Sequence, residues 1–223
     1  MSQQPSAAVP LTILTGFLGA GKTTLLNRIL HGDHGLRVAV IVNDFGALDI
    51  DAQLVVGVDE GMVSLANGCV CCSLRDDLLA AAGGLLQSAA PPEYVVIEAS
   101  GVSDPFEIGL AFRMPPLREL FRLDSIVALV DAEQLPIFSA DARLRELLER
   151  QIDAADLVVL NKIDLVSERQ RSWLRAAIQE RAPRVLVWET SYAELPLPLL
   201  LDAGRHRLQL GDGEQPCISS AGG

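Results

Sequence analysis

The sequence predicts a three-layer α/β fold with a mostly parallel central sheet, and three observations predict it. First, the apolar strand Leu11–Leu14 runs into Gly16-Phe17-Leu18-Gly19-Ala20-Gly21-Lys22-Thr23, which fits G-x-x-x-x-G-K-[ST] without a mismatch. Leu25, Leu26, Ile29 and Leu30 then recur at helical spacing. This strand, loop and helix are the opening unit of a P-loop NTPase. Second, near-continuous apolar runs recur at 38–42, 94–97, 125–130, 156–160 and 184–188, as strands covered on both faces of a parallel sheet require. Third, chemistry-bearing residues cluster at the C-terminal ends of those runs, where open α/β sheets place their ligands.

The first helix ends in the polar turn 31–35, and the strand 37–42 runs into Asn43-Asp44-Phe45-Gly46, with Asp49 and Asp51 close behind. Asp44 is a candidate for the site, whereas Asp49 reads as a solvated loop residue. Alternating apolar positions between 52 and 68 predict a short hairpin. Cys69-Val70-Cys71-Cys72 follows, and Ser73 with Asp76 starts a helix carrying Leu74, Leu78 and Leu79. A strand over 94–98 delivers Glu98-Ala99-Ser100-Gly101 to the sheet edge. Asp104 caps the next helix, with Pro105 at its first position and Glu107 completing a capping box, and Met114-Pro115-Pro116 breaks it. The strand 125–130 ends at Asp131. Leu144, Leu147, Leu148 and Ile152 mark the core face of a further helix, and the strand 156–160 presents Asn161-Lys162-Ile163-Asp164. Ser167 and Gln170 cap a helix whose core face is predicted to carry Trp173, Leu174, Ala177 and Ile178. The strand 184–188 is followed by the proline-interrupted stretch 195–201. The boundaries are a loose tail over 1–10, one P-loop domain over 11–192, and an extension and tail over 193–223 containing Cys217.

Composition narrows the function classes. The formal charge of −11 argues against nucleic acid as a main partner, because phosphate backbones require a concentrated basic face. The apolar runs are too short to span a bilayer, and the first ten residues lack both a basic start and an apolar stretch. The expected location is cytoplasmic. Three of the four cysteines lie within 69–72, which in a reducing compartment points to metal or redox chemistry rather than a disulfide framework. The three histidines, at 31, 34 and 206, are scattered and read as surface residues.

The loop residues Gly16, Gly19, Ala20, Gly21, Lys22, Thr23 and Thr24 are the candidate phosphate site. Glycines let backbone amides close round a triphosphate at a helix N-terminus, Lys22 meets the β/γ-phosphates and Thr23 ligates Mg²⁺. Asn161-Lys162-x-Asp164 suits guanine, since the Asp164 carboxylate accepts from two adjacent N–H donors that adenine does not offer. Each such bond lost costs about 1.5–3 kcal/mol. Glu98 is positioned to reach Mg²⁺ through water, and Gly101 lets the backbone approach the γ-phosphate. Cys69, Cys71 and Cys72 meet one ion only if the chain turns after Cys71. A helix starting at Ser73 would provide that turn and favour thiolates. Three sulfurs leave a tetrahedral ion one ligand short, open to Asp44, a water or a partner. Inert buried cysteines and a redox role are the competing readings of this cluster.

With GFLGAGKTT, NDFG, NGCVCC-SLRDDL, VVIEASGVSDP and NKIDLV in that order, residues 10–192 resemble the CobW-type GTPases of the SIMIBI class. The resemblance implies a GTP-hydrolysing metallochaperone or insertase using GTP with Mg²⁺. It implies zinc, cobalt or a similar ion at Cys69, Cys71 and Cys72, Glu98 in a nucleotide-responsive segment, and Asn161 to Asp164 on the base. A client metalloprotein is the expected partner, and a nucleotide-dependent homodimer is consistent with the class. The family usually reads N-E-F-G-E where this chain has Asn43-Asp44-Phe45-Gly46-Ala47, so one acid is shorter and the next is missing. It usually carries a histidine-rich stretch and a C-terminal domain as well, and neither is recognised here. The rival functions are a P-loop small-molecule kinase, which has no use for the cysteines or Asp164, and a GTP-gated dimerising scaffold that never turns its nucleotide over.

Overall fold

The computed structural model describes residues 8–43, 62–65, 78–80, 83–101 and 103–201. A seven-stranded sheet forms the middle layer, in the order β3-β2-β4-β1-β5-β6-β7. Its strands are β1 (Val9–Gly16), β2 (Val38–Asn43), β3 (Met62–Leu65), β4 (Tyr94–Ala99), β5 (Phe121–Asp131), β6 (Leu157–Asn161) and β7 (Leu186–Glu189). Every pairing is parallel. The helices are α1 (Lys22–Leu30), α2 (Pro105–Arg113), α3 (Leu117–Leu120), α4 (Leu135–Ala140), α5 (Ala142–Ala154) and α6 (Glu168–Arg181). Strands β2 to β4 lie on one side of β1 and β5 to β7 on the other, so the strand order reverses at β1. The crevice at such a reversal is where open α/β sheets bind ligands, and β1 ends there in Gly16.

Alternation along β1 explains the layers. Leu11 and Ile13 face a core shared with Ile108, Phe112 and Leu117, while Leu14 faces Leu25, Leu26 and Ile29 of α1. Leu11, Ile13, Leu25 and Leu26 are fully buried, and such side chains each contribute about 1.5–3 kcal/mol through removal from water. On the α2 face, α5 and α6 add Leu148, Ile152, Leu174 and Ile178 against Val158 and Leu160. The opposite face is closed by α1 together with Leu197, Leu199, Leu200 and Leu201. A polar cluster ties that last segment down. The Tyr94 hydroxyl donates to Asp124 Oδ2 at 2.8 Å and lies 3.2 Å from the Leu200 carbonyl, and Thr12 Oγ1 donates to the same carbonyl at 3.0 Å. Asp124 is fully buried and pairs with Arg122 at 2.9 Å, so its charge is compensated.

Several expectations change. Of the hairpin expected over 52–68, only 62–65 lie within the described residues, and these pair parallel to β2 at the edge of the described sheet. Strand β5 starts at Phe121, ahead of the predicted Ser125, and α4 was not foreseen. Trp173 is 58 % and Leu144 36 % exposed, because α6 and α5 contact the sheet along narrower stripes centred on Leu174/Ile178 and Leu148/Ile152. Asp104 and Ser167 cap their helices as predicted, although Asp104 bonds to the amide of Phe106 and forms no box with Glu107, and the cap predicted at Ser73 lies outside the described residues. Asp104 Oδ1 accepts from Phe106 N at 2.9 Å, and Ser167 with Gln170 forms a reciprocal capping box.

Candidate nucleotide site

The glycine loop leaves β1 and enters α1 through three left-handed or near-left-handed glycines, Gly16, Gly19 and Gly21, with φ of 138°, 79° and 109°. At Gly21 the need for glycine is also steric, since an added Cβ would lie 2.5 Å from Asn161 Nδ2. Phe17 anchors the loop by packing on Phe138 of α4, ring centroids 4.6 Å apart. Gly21 caps α1 without a side-chain hydrogen bond, and the first turn carries no acid. The helix start therefore presents amides and its positive dipole end to an anion. Lys22 is buried, with Nζ donating to the carbonyls of Gly16 at 2.8 Å and Phe17 at 3.3 Å. A phosphate would offer that ammonium a stronger, charged acceptor. Thr23 is half-buried and Thr24 exposed on the first turn of α1. Loop, helix start and lysine thus fit a magnesium-bound polyphosphate.

Glu98 is buried on β4, in register with Leu14 of β1 and Val42 of β2, beside the strand that leads into the loop. Gly101 lies closer still. A Cβ there would come within 2.9 Å of Leu18 N, so only glycine lets this backbone rest on the loop.

The second motif comes from β6. Asn161 Nδ2 donates to the Ala20 carbonyl at 2.9 Å across 141 positions of sequence, and Asn161 Oδ1 accepts from Ala193 N at 2.9 Å. Its side chain is spent bracing the phosphate loop and the loop after β7 against each other. Lys162, with φ of 61°, pairs through Nζ with Asp131 Oδ2 at 2.6 Å. Asp164 is exposed in the single 3₁₀ turn Ile163–Leu165, which is fastened to the end of β7 by Ile163 N donating to the Thr190 carbonyl at 3.2 Å.

Sequence reasoning missed three contributors here. Asp131 holds Lys162. Ala193 supplies the amide to Asn161, and both Tyr192 and Ala193 adopt positive φ, 54° and 55°. Arg28 on α1 holds that turn, with Nε donating to the Tyr192 carbonyl at 2.9 Å and a guanidinium nitrogen 2.9 Å from Glu194. Asp131 and Ala193 signal themselves only by position, at or beyond the C-terminal ends of strands, and Arg28 only by standing in the last turn of the helix after the phosphate loop. Asp44, Cys69, Cys71 and Cys72 lie outside the described residues, and among the described residues no cluster of three or more His, Cys, Asp or Glu side chains could hold a metal ion.

Such a loop, with a strand-end turn braced on it from across the sheet, is the arrangement expected of a nucleotide site. In class the chain is a P-loop nucleotide-binding protein. Its sequence matches the CobW/HypB/UreG nucleotide-binding domain over residues 10–188, and it belongs to that family. It is 37 % identical over 224 residues to the zinc chaperone CobW of Pseudomonas aeruginosa, covering 87 % of this chain and 60 % of that protein. With the zinc chaperone YjiA of Escherichia coli the identity is 36 % over 209 residues, covering 90 % of this chain and 63 % of the relative. The chain thus spans about three-fifths of the length of these curated relatives. The crystal structure of Zn(II)-bound YjiA GTPase superposes with a TM-score of 0.68 at 28 % identity, over 89 % of this chain and 63 % of that one. Helicobacter pylori HypB in complex with nickel shares the fold, with a TM-score of 0.58 at 18 % identity over 91 % of this chain and 86 % of that one.

Proposed function

We propose that residues 11–192 form the GTPase domain of a metallochaperone that binds zinc, cobalt or a similar ion at Cys69, Cys71 and Cys72 and couples its transfer to GTP hydrolysis. The observation that carries the guanine-nucleotide half is the Asn161–Ala20 hydrogen bond, which joins the base motif and the phosphate loop in one site. In this reading Asp164 accepts from the guanine edge, the amides at the start of α1 bind the phosphates, and Lys22 neutralises charge developing on the β/γ-phosphates. Thr23 and Glu98 would hold Mg²⁺, which when bound supplies charge neutralisation between the β- and γ-phosphates. Gly101 approaches the γ-phosphate through its backbone, and Asp44 or a dimer partner orients the attacking water.

The metal half rests on the cysteine motif and on relatives that are named zinc chaperones. It gains support from the sheet, because Asn43 and Leu65 are register partners at the ends of β2 and β3. Asp44 follows the first of them directly, and Cys69 follows the second after a short stretch of sequence. A client metalloprotein, a nucleotide-dependent homodimer and a cytoplasmic site of action belong to the same reading. No helix among the described residues is long and apolar enough to cross a membrane.

The test is phosphate release from GTP and ATP, with and without zinc, alongside metal and nucleotide content of protein purified without chelator. We expect slow hydrolysis specific for GTP, sensitivity to zinc, and a bound transition metal. Phosphate transfer to a small acceptor would instead identify a kinase, and tight GTP binding without turnover a nucleotide-gated scaffold.

A further inference from the structure

Helix α5 carries two neighbouring residues that grip the segment joining β4 to α2. Gln151, only 1 % exposed, donates from Nε2 to the Gly101 carbonyl at 3.2 Å. Arg150 reaches Asp104 Oδ2 at 3.3 Å, the same carboxylate whose other oxygen caps α2. Hydrogen bonds to Glu146 and then to Asp104 raise the pKa of the Arg150 guanidinium above its ordinary value. Gly101 and Asp104 are thus both held from one side by α5. On its other side Gly101 rests on the phosphate loop, where its Cβ position is 2.9 Å from Leu18 N and 3.6 Å from the Gly16 carbonyl. That carbonyl is the one Lys22 Nζ occupies.

The unused half of Gln151 is informative. Its Oε1 is buried and has no hydrogen-bond partner among the described residues. A buried amide left half-paired costs free energy that an apolar side chain of similar size avoids. What Gln151 supplies is therefore its bond to Gly101. We propose that Gln151 is a positioning residue that holds Gly101 against the phosphate loop, and so favours nucleotides with a γ-phosphate over those without one. The inference rests on the reading of the site as a guanine-nucleotide switch. It deepens that reading by assigning part of the γ-phosphate response to a side chain that touches neither nucleotide nor metal.

In the proposed reading Gly101 borders the γ-phosphate, so loss of its bond to Gln151 disturbs that pocket, whereas the base turn is braced separately through Asn161. The experiment measures dissociation constants for GDP and for a non-hydrolysable GTP analogue, both with Mg²⁺, in the parent and in Gln151→Met. We expect GDP affinity to stay within about twofold while analogue affinity falls by about 3- to 10-fold, the loss expected for one hydrogen bond. A residue serving packing alone would change both affinities together or neither, and either result overturns the proposal. Gln151→Leu likewise removes the amide donor without introducing a charge. If the methionine variant loses its cooperative thermal transition, the same GDP-to-analogue ratio in Gln151→Leu decides, an unchanged ratio overturning the proposal. Failure of the parent to bind guanine nucleotides at all would overturn the functional reading itself, and this inference with it.

Discussion

Lys22 illustrates how one residue is prepared for a ligand. Its ammonium is removed from most of the solvent and held by two loop carbonyls, neutral acceptors that a triphosphate outcompetes. Lys22→Ala should reduce GTP turnover to background in a phosphate-release assay while leaving metal uptake in the absence of nucleotide unchanged, because the cysteine motif lies in a different stretch of chain. Asp164 presents the complementary case. Exchanging its acceptor for a donor in Asp164→Asn should move preference from guanosine towards xanthosine nucleotides, a reversal worth at least a tenfold change in the affinity ratio if about 1.5–3 kcal/mol attends each bond. Competition binding reads this directly, and equal affinity of the parent for ATP and GTP would remove Asp164 from base recognition.

Elements matter where they lock one another. Helix α1 begins at the glycine loop, and through Arg28 near its end it holds the Tyr192–Ala193 turn, whose two positive φ values cost on the order of 1–3 kcal/mol each unless the surroundings enforce them. Ala193 in turn holds Asn161, and Asn161 holds Ala20. Arg28→Ala should therefore weaken GDP and GTP-analogue binding alike, by about 2- to 10-fold. Glu194→Ala should change little, since that ion pair is exposed. Equal losses for both nucleotides distinguish this base-side brace from the γ-phosphate effect assigned to Gln151. At the N-terminal ends of the strands, away from the phosphate loop, Tyr94 links β4 to β5 and to the 197–201 segment. Tyr94→Phe leaves the buried Asp124 carboxylate with one partner fewer, and should lower stability by about 1–3 kcal/mol in urea denaturation.

At the scale of the whole molecule, the proposed function requires coupling between the segments that follow two neighbouring strand ends. Asn43 and Leu65 end β2 and β3 as register partners, and Asn43 also pairs with Ala99, just beyond Glu98. A γ-phosphate that redistributes contacts at this edge has a route to the cysteine motif, and a differential contact is what thermodynamic coupling requires. Coupling of about 1–3 kcal/mol corresponds to a roughly 5- to 150-fold difference in zinc affinity between the GTP-analogue and GDP states, with a reciprocal effect of zinc on nucleotide affinity. Chelator competition on the parent, Asp44→Ala and Cys71→Ser/Cys72→Ser measures it. Identical zinc affinity in both states of the parent would reduce the cysteine motif to a structural clip.

What the sequence determined by itself is whatever local chemistry enforces. The glycine spacing before Lys22, the caps at Asp104 and Ser167, and the apolar runs of β1, β2, β4 and β6 depend on contacts within a few residues, so their patterns are legible in the linear order. The identities of the phosphate and base motifs are legible for the same reason. The tertiary structure alone decided the strand order, the parallel edge position of 62–65, and the roles of residues whose partners are remote. Asn161 reads as a base residue in its tetrapeptide, yet packing β6 near β1 turns it into the brace between Ala20 and Ala193. Lys162 finds Asp131, Arg28 finds Tyr192 and Gln151 finds Gly101 only because parallel crossovers bring strand ends and helix ends from distant stretches to one edge. No periodicity encodes such pairings, since the free energy that selects them comes from burying the two faces of the sheet at once.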